Sequence, residues 1–371
     1  MNHWTCEELK SRLEAGEAVA VVDIRETADH AAWSILGSQN LAVYDALRRD
    51  HVEPLVARAS VLPRGVPVVT VCHMGIVSRK AAAVLRTLGF DAASLKGGMR
   101  DWGGVWSEAP IDGRLGREAT FVQIRRLGKG CLSYLVGARG TAVVVDPCVD
   151  ASAYLTIAER RGLRITHVLE THVHADHLSR ARALSEAAGA LLVLPPNPRV
   201  RFPFTPLADG ESLDVSGLRI QALATPGHTT ESACYRVDDA ALLSGDTVFV
   251  NSVGRPDLER GDAGADTGAR ALHRSLRRVF ESADDVWIYP GHHGCPIPFD
   301  RQPIGIRLGE LRPRLEALSL DADTFAARIV AGLGEKPPSF ETILAVNEGR
   351  GDLGDLEPLD VEAGPNRCAA G

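Results

Sequence analysis

The sequence lacks a long apolar run, an excess of basic residues and any CxxC cysteine pair. Its apolar stretches span only a few residues and cannot cross a bilayer, and its N-terminus has no signal-like apolar segment. Lys and Arg number 41 against 48 Asp and Glu, so sequence-general binding to nucleic acid is disfavoured. Seven scattered cysteines in 371 residues indicate reduced thiols and not a disulfide framework. We therefore expect a cytoplasmic globular protein that binds neither membranes nor nucleic acid.

Two patterns of predicted secondary structure divide the chain. Residues 1–107 alternate short apolar strands with helices, for example over 78–88, which indicates a parallel α/β sheet. Residues 108–117 contain Pro and Gly and are predicted to be a linker. From 118 to 310 strands follow one another quickly, and residues 311–371 are predicted to form a helical and irregular extension of this second domain.

A cysteine lies between a predicted strand and a predicted helix. Cys72 begins the segment Cys72-His73-Met74-Gly75-Ile76-Val77-Ser78. A thiolate facing the N-terminus of a helix is stabilised by free N–H groups, which favours nucleophilic or persulfide chemistry. The alternative is a small buried core cysteine, the usual place of an isolated thiol.

Three histidines and one aspartate fall within six positions directly after a predicted buried strand. They are His172, His174, Asp176 and His177. Burying so much polarity is costly unless a partner compensates it, and imidazole with carboxylate is a ligand set for zinc or iron. His228, Asp246 and His292 each follow a later predicted strand, so we favour a metal site over a solvated turn with chance histidines.

The N-terminal motifs resemble the rhodanese (sulfurtransferase) domain over roughly residues 1–107. The resemblance rests on Asp23-Ile24-Arg25-Glu26, on the segment from Cys72 to Ser78, and on Leu95-Lys96-Gly97-Gly98-Met99-Arg100-Asp101-Trp102. It implies that Cys72 carries the transferred sulfur as a persulfide.

The histidine and aspartate motifs resemble the metallo-β-lactamase superfamily, which implies an αββα sandwich over roughly residues 118–300. In that fold a dinuclear site would activate water for hydrolysis of an ester, thioester or amide. The resemblance implies one metal held by His172, His174 and His228. It implies a second metal held by Asp176, His177 and His292, with Asp246 bridging.

A narrower resemblance is to the persulfide dioxygenase branch of that superfamily. It rests on Gly254-Arg255-Pro256-Asp257 and on tail segments such as Gly364-Pro365-Asn366-Arg367-Cys368. It implies one Fe(II) per chain, held by His172, His228 and Asp246, which leaves positions free for O₂ and substrate. His174, Asp176, His177 and His292 would then orient those ligands. Arg255 would bind a carboxylate of a glutathione-like thiol, the alternative being a loop-bracing arginine.

Spacing alone does not separate one iron from two zinc ions, because the same residues serve both. The fusion with a sulfur-carrying domain favours iron-dependent oxidation of a glutathione persulfide-like substrate by O₂ to sulfite, coupled to sulfane-sulfur transfer through Cys72. The alternative is a dinuclear zinc thioester hydrolase of the glyoxalase II type. A third hypothesis is a non-catalytic sulfur carrier with a vestigial metal site. The expected partners are a thiol persulfide, O₂, sulfite and thiosulfate, and a homodimer is left open.

Overall fold

The computed structural model describes residues 3–116, 118–294 and 296–370. The N-terminal part contains the strands β1 (His3–Trp4), β2 (Ala20–Asp23), β3 (Gln39–Asn40), β4 (Val68–Val71) and β5 (Ala92–Leu95). They form a parallel sheet in the order β1-β5-β4-β2-β3. Its helices are α1 (Cys6–Glu14), α2 (Thr27–Ala32), α3 (Tyr44–Arg48), α4 (Glu53–Arg58), α5 (Val77–Thr87) and α6 (Gly98–Trp102).

Two further sheets follow. The strands of the first are β6 (Trp106–Pro110), β7 (Ala119–Arg126), β8 (Leu132–Ala138), β9 (Thr141–Val145), β10 (Arg164–Leu169), β11 (Leu191–Leu194) and β12 (Thr205–Pro206). They pair in consecutive order from β6 to β12. The strands of the second are β13 (Ser212–Val215), β14 (Leu218–Ala224), β15 (Ala233–Val237), β16 (Ala241–Gly245), β18 (Trp287–Pro290) and β19 (Ile306–Arg307). A small separate pair joins β17 (Val253–Gly254) to β20 (Ala369–Ala370).

The two larger sheets pack face to face with helices on both outer sides. Their shared core includes Tyr134 of the first sheet and Tyr235 of the second. The outer helices are α7 (Ala151–Glu159) and α8 (Ala181–Ala188) on one side, with α9 (Gly261–Val279) and α11 (Ala322–Ala331) on the other. Apolar side chains on strands of both sheets are removed from water together, which is the main force holding such layers in contact. The predicted αββα sandwich and the α/β N-terminal domain are confirmed.

The strand β6 spans the boundary predicted at residue 107. It pairs antiparallel with β7 along its whole length, so the first residues of the predicted linker belong to a sheet edge. The turn before β6 is also tied to the sandwich, because Leu127 donates its backbone N–H to Val105 over 2.8 Å. The two folded parts are therefore joined by a paired strand over residues 106–110.

The C-terminal residues complete the second half of the molecule. They contain α10 (Leu308–Leu311), α12 (Phe340–Asn347) and α13 (Pro358–Val361), together with α11. Phe325 of α11 packs in the same cluster as Leu272 of α9, so the extension buries apolar surface against the sandwich. Among the helices that the structure describes, none is both long and apolar enough to span a membrane.

Candidate metal centre

Four strand ends bring the predicted metal-binding residues to one edge of the sandwich. Asp246 follows β16 and His292 follows β18, and these strands are parallel neighbours whose carboxyl ends meet at the same edge. The loop after β10 is joined to the start of β15 by a bond from Ala233 N to Thr171 O over 2.9 Å. That bond places His172 beside the loop that carries His228. Residues that are far apart in the sequence thus share one cavity.

All seven predicted residues are buried and none is more than 2% exposed. Six of them fall into two groups of potential ligand atoms, and within each group the atoms lie within 4.8 Å of one another, whereas His174 is grouped with Asp146 and Glu170. The first group contains His172, His228 and Asp246. The second group contains Asp176, His177, His292 and also Cys131, a residue that the sequence analysis did not select.

Each of the five histidines has one ring nitrogen engaged by a neighbouring oxygen. The Thr171 hydroxyl donates its hydrogen to Asp146, so it accepts from His172 Nδ1. The other four pairs are His174 Nε2 with Glu170 at 2.7 Å, His177 Nδ1 with Asp176 at 3.0 Å, His228 Nδ1 with Arg255 O at 2.7 Å, and His292 Nδ1 with Asp246 at 2.6 Å. Such contacts fix the ring tautomer and leave the lone pair on the opposite nitrogen, as metal-binding histidines require.

The opposite atoms are buried and make no hydrogen bond. They are His172 Nε2, His174 Nδ1, His177 Nε2, His228 Nε2, His292 Nε2 and Asp246 Oδ2. Six orphaned polar atoms in one cavity are costly unless a cation satisfies them. His228 Nε2 and His172 Nε2 lie 3.5 and 3.8 Å from Asp246 Oδ2. Two ligands of one tetrahedral zinc ion are about 3.4 Å apart, so the donor set fits a metal.

The charges of the cavity also favour a cation. Burial by itself raises the pKa of Asp246, but the charge and hydrogen bond of His292 outweigh it and lower the pKa. The pKa of Asp176 is well below its ordinary value for the same reason, with His292 and His177 outweighing burial. Both carboxylates are therefore ionised at neutral pH. Burial lowers the pKa of His292, but the charges of Asp176 and Asp246 outweigh it and raise the pKa well above its ordinary value. A metal ion bound in the cavity would take the place of that ring proton beside the two carboxylates.

The C-terminal extension braces the loop that carries three of the histidines. Asn347 donates from Nδ2 to the carbonyls of His174 and His177, at 2.9 and 2.8 Å. Glu362 accepts the N–H of Leu178 over 2.7 Å, and it forms an ion pair with Arg126 that is buried on both sides. These contacts could not be predicted from the sequence, because the partners lie about 170 to 240 positions apart.

Cys131 was missed because it lies in no motif. It precedes β8 and forms an isolated antiparallel bridge with His292. Burial and the charge of Asp176 raise the pKa of its thiol, but His177 and His292 outweigh them and the pKa falls to about 7. It lies directly before a strand, whereas the other predicted ligands follow the ends of strands, so the pattern that marks them does not include it.

Arg255 does not face the metal centre with a free guanidinium. It is buried and forms a two-bond ion pair with Asp257, at 2.8 and 3.0 Å. Its remaining N–H groups donate to the carbonyls of Gly334, Glu335 and Arg367. The contact with a substrate carboxylate stays a prediction, and these contacts favour the alternative. Arg255 clamps the C-terminal tail, which agrees with the loop-bracing alternative.

Cys72 lies where the N-terminal motifs predicted it, between β4 and α5. Its Sγ is 3.4 Å from the backbone N–H of Ser78, in the first turn of α5, and the side chain is buried. Gly98 packs under this loop with a positive φ of 59°, and a Cβ there would come within 2.2 Å of Cys72 O. The second glycine of the third motif is thus required by close backbone contact. Sulfur transfer by Cys72 stays a prediction.

The fold and the buried centre together define a metal-dependent enzyme of the αββα type. Residues 127–292 match the metallo-beta-lactamase superfamily, and residues 5–104 match the rhodanese-like domain. The hydroxyacylglutathione hydrolase of Methylobacillus flagellatus is 32% identical over 216 residues, which cover 58% of this chain and 80% of that protein. The chain belongs to the metallo-beta-lactamase superfamily and carries a rhodanese-like domain.

Other similar proteins point the same way. A hydroxyacylglutathione hydrolase of Methylococcus capsulatus is 39% identical over 186 residues, which cover 48% of this chain and 69% of that protein. Two solved structures share the fold. A metallo-beta-lactamase from Staphylococcus aureus has a TM-score of 0.57 at 26% identity, covering 64% of this chain and 74% of that one. ETHE1 from Myxococcus xanthus has a TM-score of 0.54 at 28% identity, covering 62% and 99%.

These comparisons overturn the function predicted from the sequence. Curated relatives at 32–39% identity are named hydrolases, so the prediction of a persulfide dioxygenase, an oxidoreductase, is wrong. The physical reason is that the same histidines and aspartates can hold one metal or two, and the fusion with a rhodanese-like domain does not decide between oxidation and hydrolysis. The hydrolase alternative is the better supported one.

Proposed function

We propose that the chain hydrolyses a hydroxyacyl thioester of glutathione in a centre that holds two metal ions, zinc in both positions. The observation that carries the proposal is the set of six buried, unpartnered ligand atoms, which is larger than one three-residue iron site needs. The names of the relatives supply the substrate class. We therefore propose two zinc ions in place of the single Fe(II).

His172, His174 and His228 would hold the first metal, and Asp176, His177 and His292 the second, with Asp246 between them. When bound, the two ions lower the pKa of water and polarise the thioester carbonyl as Lewis acids. The protein keeps the cavity buried, which strengthens each electrostatic contact inside it.

The chain's own residues hold the ligands ready. Glu170 accepts from His174 Nε2, which leaves Nδ1 as the metal-facing nitrogen. Asp146 acts through the Thr171 hydroxyl on His172 in the same manner. These carboxylates raise the basicity of the rings they contact and fix their orientation.

The rhodanese-like domain adds a second proposed activity. We propose that Cys72 forms a persulfide and transfers sulfane sulfur between small molecules, with a thiol persulfide as donor and sulfite as acceptor. The support is the position of Sγ at the first turn of α5, where the Ser78 N–H can stabilise a thiolate. The cytoplasmic location of the protein stays a prediction.

The test is hydrolysis of S-lactoylglutathione by zinc-loaded protein, measured as the release of the glutathione thiol. Metal content is measured on the same sample, and two zinc ions per chain are expected. The matched control is Asp246→Asn, which keeps the side-chain shape but removes the charge between the two positions. The proposal fails if the loaded protein leaves the thioester intact, and iron-dependent uptake of O₂ with glutathione persulfide would replace it.

A further inference from the structure

Cys131 is held beside the second group of ligand atoms by backbone pairing. The next residue, Leu132, donates its N–H to Gly291 O over 2.8 Å, and Cys131 itself bridges to His292. The thiol is 1% exposed and donates to Asp176 Oδ2 over 3.4 Å. The backbone of β8 therefore fixes the sulfur at the cavity wall, independently of the loop that carries the histidines.

The side chains around the Cys131 sulfur offer further potential ligand atoms for a metal ion. His177 Nε2 and His292 Nε2 are buried and make no hydrogen bond, although His292 Nε2 lies only 2.8 Å from Asp176 Oδ2. Cys131, Asp176, His177 and His292 each offer one ligand atom, and these four atoms lie within 4.8 Å of one another. One thiolate, one carboxylate and two imidazoles make a four-ligand set suited to zinc.

We propose that Cys131 is a direct ligand in the second metal position, which makes that position a Cys-Asp-His-His site for a thiophilic divalent ion. This inference rests on the proposed two-metal centre and adds a thiolate to it. Binding forms a sulfur–metal bond and releases the thiol proton to solvent. A soft ligand there favours zinc or cobalt over magnesium or manganese, whereas the first position offers nitrogen and oxygen only.

The alternative is an ordinary buried thiol, and two other cysteines show what that looks like. Cys148 Sγ lies 3.7 Å from the Ser133 hydroxyl, and Cys234 Sγ lies 3.4 Å from the Thr225 hydroxyl. Neither belongs to a group of metal-capable atoms within the described residues. Cys368 is the one competitor, because its sulfur groups with Asp246 and His292.

The test uses cobalt, because a cobalt–thiolate bond adds a charge-transfer absorption band that histidine and carboxylate ligands do not give. Metal-free full-length protein is titrated with Co²⁺, and absorbance and bound metal are followed together. Wild-type protein is expected to bind two equivalents and to show the band with one of them. Cys131→Ser and Cys131→Ala should lose the band, and their affinity for that equivalent should fall at least about 100-fold.

Cys148→Ser is the matched control, since it places the same hydroxyl in a similarly buried position and should keep the band. Circular dichroism of the metal-free proteins separates loss of the ligand from loss of the fold. A band that survives in Cys131→Ser and disappears in Cys368→Ser overturns the proposal in favour of Cys368. Two bound equivalents without a band overturn it and leave the two-metal function intact. A wild type that binds one equivalent and does not hydrolyse the thioester overturns both.

Discussion

His292 donates from Nδ1 to Oδ1 of Asp246 over 2.6 Å, and this one bond joins the two groups of ligand atoms. The free Oδ2 of Asp246 belongs to the group with His172 and His228. The free Nε2 of His292 belongs to the group with Asp176 and His177. A substitution of Asp246 should therefore affect both proposed metal positions, whereas a substitution of His177 should affect only one.

The first prediction follows from this asymmetry. Asp246→Ala should lose both metal ions, because it removes the charge that they share, whereas His177→Ala should lose only one of the two. Metal analysis after dialysis against a weak chelator measures this directly. His167→Ala on β10 is the control, because His167 contacts Thr166 outside the centre and should leave two ions bound. Equal losses in Asp246→Ala and His177→Ala would contradict the shared role of Asp246.

The second prediction concerns Glu170, which is buried and accepts from His174 Nε2. Glu170→Gln offers the histidine a neutral amide, so the ring is less basic and less firmly oriented. The affinity of the first metal should fall about 10- to 100-fold, as is typical when a residue behind a ligand is changed. Competition with a fluorescent zinc chelator gives the constant. Glu186→Gln on the exposed side of α8 should leave the metal affinity unchanged. An equal loss of affinity in that variant would contradict the role of Glu170 behind His174.

The third prediction is a dependence of stability on pH. Burial raises the pKa of Glu362, but the charge of Arg126 and then that of Arg180 outweigh it, and the pKa falls from 4.5 to about 2. A lowered folded-state pKa means that the stabilisation is complete above about 4.5 and is lost as the pH falls towards 2. The difference corresponds to about 3 kcal/mol.

The measurement compares Glu362→Gln with the wild type by denaturant unfolding. The free energy of unfolding of the variant should be about 3 kcal/mol lower than that of the wild type near neutral pH. This difference should shrink as the pH is lowered below about 4. Glu357→Gln, on an exposed part of the same tail, is the control. A gap that stays constant down to acid unfolding would show that Glu362 acts through shape and not through charge.

The fourth prediction separates bracing from substrate binding at Arg255. Arg255→Ala leaves Asp257 buried without its partner and should cost about 3–5 kcal/mol of folding free energy. Arg270→Ala breaks two surface ion pairs, with Asp266 and Asp323, and should cost less than about 1 kcal/mol. Thermal and denaturant unfolding report both values. A stable Arg255→Ala protein with a raised KM for the thioester would restore the substrate role.

The fifth prediction concerns the independence of the two halves. Cys72→Ser removes the one thiol in the loop between β4 and α5. Sulfur transfer to cyanide or sulfite should therefore fall to background. Thioester hydrolysis and zinc content should stay within about twofold of the wild type, because Cys72 belongs to none of the metal-capable groups. Cys6→Ser in the same domain is the control. Loss of hydrolysis in Cys72→Ser would mean that the two sites are coupled.

Local patterns were enough to predict the fold and the residues that the structure brings together in the buried cavity. The spacing of the histidines between His172 and His177 predicts a metal site without any distant residue. The motifs around Cys72 and Gly98 are equally local. The helix predicted over 78–88 lies at Val77–Thr87, because its apolar positions recur at helical spacing. The strand β6 was not predicted, because it is stabilised by pairing with β7 and not by its own residues.

What the sequence determined by itself was the set of histidines and aspartates that meet in one buried cavity, because they follow strand ends and strand ends converge in an αββα sandwich. Tertiary structure decided which further side chains reach that cavity. Cys131, Asn347 and Glu362 reach the centre through backbone pairing and long-range contacts. Tertiary structure also decided that the Arg255 guanidinium donates to Asp257 and to carbonyls of the C-terminal tail. A donor's role depends on which acceptor lies within about 3 Å, and that distance is set by packing and not by position along the chain.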